Sequence, residues 1–152
     1  MDQVEFIVDQ LQRAYAGEAW HGPSIKEVLD GITAGQALAT PIAGAHSIWE
    51  VTMHIGVWMS AARRRLNGDA AKLTPQEDWP PMNGRSPDVW RQTLDALEQE
   101  HNQLRAAIAS LPESSLPNLA PGKDHSVEFM LHGVIQHNLY HAGQMALLKK
   151  AL

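Results

Sequence analysis

The chain has 152 residues, of which 44% are apolar and 19% charged, and a net charge of -5. That length suits one domain around one hydrophobic core, and the acidic balance offers no basic footprint for nucleic acid. No apolar run nears the roughly 20 residues that span a bilayer, and "MDQVEFIVDQ" lacks the cationic, apolar form of a signal peptide, so a cytoplasmic protein is expected.

The first predicted helix runs from about Asp2 to Ala16, with Val4, Ile7, Val8, Leu11 and Tyr15 at helical spacing and Gly17 as its stop. A short helix follows "WHGPS", with Ser24 as N-cap, and ends near Gly31. "TAGQALATPIAGAH" reads as an irregular connection rich in small residues. Ser47 then opens a long helix with Glu50 as its capping-box partner, and Asn67-Gly68 closes it. Its stripe is Ile48, Val51, Ile55, Trp58, Ala62 and Leu66, and the basic run Arg63-Arg64-Arg65 suits its C-terminal end. Asn67 to Arg85, with "WPPMNG", reads as a loop. Ser86 and Pro87 start a third long helix that reaches about Ser110. After the proline-broken "LPESSLPNLAPGKDH", a final helix begins near Ser126 and runs to the C-terminus.

Four long helices with little strand signal predict an all-α four-helix bundle. A 20-residue helix is about 30 Å long. The Asn67–Arg85 connection covers up to about 60 Å when extended, so it permits a crossover that leaves helices two and three parallel.

Cysteine is absent, which removes disulfides, thiolate metal sites and a cysteine nucleophile, so a transition metal would need imidazole or carboxylate ligands. The chain contains eight histidines. On the last helix, Met130, Val134, His137, His141, Met145 and Leu148 fall within an arc of roughly 80°, so both histidines share the core-facing stripe. An i, i+4 pair sets two imidazoles one turn apart and pointing alike, as two ligands of one ion require. His54 lies at the margin of the stripe on the second long helix and supplies a third imidazole. A lone histidine at such a position is more often a hydrogen-bonded core residue than a ligand. Together, on core faces of two helices, they describe a three-histidine site with open positions. Glu50, one turn before His54, either supports an imidazole, completes the coordination, or only closes the Ser47 capping box. His132 lies about 140° from His137 around the helix and cannot share its ion. His101 reads as solvent-facing, His125 as part of a helix-start loop, and His46 as preceding a cap. His21, in the Trp20-His21-Gly22 turn, is either a turn residue or a closure over one end of the bundle. Trp58 and Trp90 fit core stripes, whereas Trp20, Trp49 and Trp79, at helix ends or in loops, read either as core residues, the default, or as the lining of a pocket mouth or a dimer surface.

"WHGPSIKEVLDGIT", "SIWEVTMHIGVW" and "LHGVIQHNLYHAGQMALLKKAL" together resemble the DinB-like (YfiT-like) superfamily over nearly the whole chain. The most specific part is the C-terminal His-x3-His followed by Ala-Gly-Gln. The resemblance implies an up-down-down-up bundle with the long crossover between helices two and three. It also implies a divalent metal, often nickel or zinc, held by His54, His137 and His141. Members of the family include thiol-dependent transferases and isomerases, and dimers are common. The expectation is therefore a homodimeric, metal-dependent enzyme acting on a small molecule, with no nucleic-acid or membrane partner. Lacking cysteine, it would draw its thiol from a low-molecular-weight cosubstrate such as glutathione, bacillithiol or mycothiol. The alternatives are a metal-dependent hydrolase, in which the ion activates water, and a non-catalytic metal- or ligand-binding bundle. Glu50, Gln144 and His21 are the candidates for contacts around the ligands or in a substrate pocket.

Overall fold

The computed structural model describes residues 1–70 and 72–152. Among them seven helices follow one another: α1 (Gln3–Ala16), α2 (Ile25–Leu29), α3 (Ala34–Leu38), α4 (Ile48–Leu66), α5 (Pro75–Asp78), α6 (Pro87–Ala109) and α7 (Val127–Lys150). The described residues contain no strand, only an isolated bridge between Leu119 and Ser126.

Local chemistry fixes where these helices begin. The Ser47 hydroxyl accepts the Glu50 N–H at 3.2 Å, and the Glu50 carboxylate accepts the Ser47 N–H at 2.8 Å, which sets the first turn of α4 and thereby the heading of His54. Asp2, Ser24, Thr33 and Thr74 are capped in the same reciprocal way. Ser86 and Ser126 each accept one backbone N–H at the starts of α6 and α7.

The four long helices pack so that α1 and α4 each touch both α6 and α7. Along α4 and α6 the partners rise together, Trp49 with Trp90, Gly56 with Leu97 and Arg63 with Glu100. Along α4 and α7 they run oppositely, Thr52 meeting Met145 and His54 meeting His137. Ile7, Leu11, Ile55, Met59, Leu104, Ile108, Leu131 and Met145 form the fully buried centre. Side chains of this size contribute about 1.5–3 kcal/mol each when taken from water.

Four expectations change. The small-residue connection holds α3, started by Thr33 and Gln36, and the Asn67–Arg85 loop holds α5, started by Thr74 and Glu77; residue 71 of that loop lies outside the described residues. Trp49 keeps the core reading of its alternatives, at 1% exposure, because it packs against Trp90 between α4 and α6. Trp58 is only half-buried, since Met59 takes the core position beside it. His101 is buried, not solvent-facing: its ring stacks on Tyr15 at 4.0 Å and its Nε2 lies 3.0 Å from Gln12 Oε1.

Candidate metal centre

α4 delivers His54 to the inner side of the bundle, where its ring is almost wholly covered. Its Nδ1 lies 2.8 Å from the main-chain carbonyl of Asp78, at the end of α5. A carbonyl only accepts, so Nδ1 carries the proton and the Nε2 lone pair is left bare. The Asp78 carboxylate accepts the Trp58 indole N–H at 2.8 Å and approaches His54 Nδ1 to 3.3 Å. Trp79 lies flat on the His54 ring, 3.9 Å away and tilted by 5°. His46 stacks on Trp79 at 3.6 Å. A short helix in the crossover thus orients one imidazole by hydrogen bond and by ring stacking.

α7 delivers His137 and His141 one turn apart. His137 Nε2 lies 3.1 Å from His54 Nε2 and 3.1 Å from His141 Nε2. All three ligand-capable nitrogens fall within 4.8 Å of one another. The His141 Nδ1–H donates to Gln144 Oε1 at 2.6 Å, which again leaves Nε2 unprotonated.

The proton count does not close without a cation. Two of the three Nε2 atoms are bare, and His137 has at most one proton to offer to one of them. One 3.1 Å contact then sets lone pair against lone pair. If His137 instead turns its own lone pair inward, its Nδ1 carries the proton, and that nitrogen is buried with no hydrogen-bond partner. A metal–imidazole bond of about 2.0–2.1 Å gives nitrogen–nitrogen edges of about 2.9 Å at right angles and about 3.3 Å at tetrahedral ones. The observed 3.1 Å edges lie between these values. Burial, reinforced by the charges of His141 and His54, pushes His137 down to about 4, and burial also lowers His141. Both are therefore neutral near pH 7, as ligation requires. Three imidazole nitrogens at this spacing fit a divalent cation.

The remaining candidates are placed as follows. Gln144 meets the cluster through His141. Glu50 is engaged by the Ser47 N–H and lies 3.6 Å from His46, so its carboxylate closes the capping box and points to no ligand. His21 is exposed in its turn and is not among the three nitrogens that converge. Asp78 is not picked out in the sequence, and His46 and Trp79 enter there without any link to His54, although Thr74-Pro75-Gln76-Glu77 is a capping box with proline at the first helical position and so signals the helix that carries Asp78. Removing the Asp78 carboxylate by Asp78→Ala leaves the carbonyl that holds His54 but frees Trp58. The expected result is a loss of about tenfold in metal affinity by calorimetric titration, with helicity unchanged.

An all-helical protein with three imidazoles gathered from two helices is the class so defined. A model of the DinB superfamily matches residues 18–145, and the chain belongs to that superfamily, which is metal-binding. No curated protein and no solved structure matches it. No helix among the described residues is long and apolar enough to cross a membrane.

Proposed function

We propose that this chain is a divalent-metal-dependent enzyme, with nickel or zinc held by His54, His137 and His141, that transfers or isomerises small molecules with the help of a low-molecular-weight thiol. The observation that carries the reading is the trio of inward-facing Nε2 atoms 3.1 Å apart, two of them stripped of protons by Asp78 and Gln144. A bound divalent cation lowers the pKa of a thiol or water at its open position and so supplies a nucleophile at neutral pH. The chain's own residues hold, orient and neutralise the ligands. The absence of cysteine assigns the sulfur to a cosubstrate.

A cavity of about 360 Å³ adjoins the centre, lined by Ile42, His46, Val51, Gln144, Leu147 and Leu148. Gln144 belongs both to this cavity and to the His141 hydrogen bond, which links the space for a substrate to the ligands. Its volume and mostly apolar walls suit a small organic electrophile. The order of contacts along α4, α6 and α7 supports an up-down-down-up bundle comprising the whole chain as one domain, and a cytoplasmic enzyme without nucleic-acid or membrane partners completes the reading.

The test loads the protein with nickel or zinc and offers a haloarene with and without glutathione, bacillithiol or mycothiol. Turnover that needs both metal and thiol is expected. Turnover without thiol would replace transfer by hydrolysis, and metal binding without turnover in any arm would leave a non-catalytic bundle.

A further inference from the structure

Asn138 sits in the middle of the core-facing side of α7, with Val134 and Ile135 one turn before it and Ala142 one turn after, all buried. Asn138 itself has 0% exposure, and neither end of its amide finds a hydrogen-bond partner among the described residues. Buried polar groups are nearly always bonded, because a bond left unmade costs the full desolvation of the group. Packing alone would be served at least as well by leucine, which branches at the same carbon. The amide therefore needs another account.

The preceding residue supplies one. His137 Nδ1 is likewise buried with no partner. The other two rings of the trio each have an acceptor on the outer nitrogen, the Asp78 carbonyl for His54 and Gln144 Oε1 for His141. His137 has none among the described residues. Burial holds its ring neutral, and the Asn138 amide lies near enough to work the other way and favour a proton there, yet it is not aligned to accept one. An unpaired donor position thus stands beside an unpaired acceptor, at the one ligand whose tautomer nothing else fixes.

We propose that Asn138 is a positioning residue of the metal centre: its amide oxygen accepts the His137 Nδ1–H in the state where all three Nε2 lone pairs face one cation. That state requires every Nε2 to be bare, and a neutral ring must then carry its proton on Nδ1. For His137 this proton needs an acceptor inside the core, and Asn138 is placed to be it. Such a bond fixes the heading of the ring and strengthens it as a ligand. In the metal-free chain the unbonded amide only destabilises, so stability and affinity pull opposite ways at this position. The inference rests on the metal reading of the trio and is independent of the thiol chemistry.

Two variants and two readouts test it. Asn138→Leu should bind zinc about 10–100-fold more weakly by calorimetric titration. Its metal-free form should nevertheless melt at or above the wild-type temperature, because the unbonded amide is gone. Asn138→Asp restores an acceptor and should keep zinc affinity within about tenfold of the wild type, but its metal-free form should melt lower, since it buries a carboxylate. In zinc-loaded protein labelled with nitrogen-15, the Nδ1–H resonance of His137 should move upfield in Asn138→Leu while those of His54 and His141 stay in place. Equal zinc affinity in the wild type and Asn138→Leu overturns the proposal and leaves the trio standing. Aspartate losing as much affinity as leucine overturns it too, as does a leucine variant that loses affinity and metal-free stability together. A wild type that binds no metal removes the site and this role with it.

Discussion

Replacing His137 by alanine will abolish stoichiometric binding of nickel or zinc while leaving the bundle folded. His137 is the middle member of the trio, at 3.1 Å from both neighbours, so its loss leaves two imidazoles with no common partner. Changes to groups that merely orient a ligand cost about 10–100-fold in affinity, and deletion of the central ligand should exceed the upper end of that range. The fold has less to lose, because the metal-free wild type must tolerate an unprotonated nitrogen facing another. Two measurements check this. Titration calorimetry should show one site in the wild type and in His132→Ala and none in His137→Ala. Thermal melts should rise on adding metal only where the site survives, by the equivalent of about 2.7 kcal/mol at a hundredfold excess over the dissociation constant. Equal binding in all three proteins would sink the assignment of the site.

The second large effect is acid destabilisation through His101. Burial, with help from the Arg105 charge, pushes this histidine down to about 4 from its ordinary value near 6.5. Between those values the unfolded chain binds a proton that the folded chain refuses. Stability therefore rises with pH through this window, is fully present above about 6.5, and is lost as the pH falls toward 4. A shift of this size corresponds to roughly 3 kcal/mol for one group, a large share of the stability of a small domain. Urea melts at falling pH should show the midpoint sliding down across this window. In His101→Phe, which keeps an aromatic ring against Tyr15, the slope should be distinctly shallower; an unchanged slope would place the sensitivity elsewhere, His137 being the other candidate.

The long helices and the two-helix origin of the trio were legible because their signals are local or periodic. Ser47 with Glu50, Ser86 with Pro87, and the stripe from Met130 to Leu148 can be read without knowing the fold. The environment of the trio was not legible in this way. Asp78 reaches His54 from 24 residues away, through a main-chain carbonyl that leaves no mark on residue identity. His46 and Trp79 matter through a three-ring stack assembled from the α3–α4 connection, α4 and the crossover, and no spacing rule announces it. His101 was misplaced for a related reason. Its immediate neighbours are polar, and the aromatic surface that covers it belongs to α1. The two short helices α3 and α5 show a different failure: their capping boxes were visible, but the surrounding glycines and prolines outweighed them.

The carbonyl that orients His54 also bears on how this centre can change over generations. Because that acceptor is backbone, a change of side chain at 78 leaves the imidazole its tautomer, while the Trp79 ring stacked on it still sets its heading. Point substitution has little purchase on such a contact. Insertions or deletions do, since one residue gained or lost in the crossover would move the oxygen away from the ring. Orthologues that preserve the trio should therefore hold the length of this stretch at least as strictly as its letters at 78 and 79.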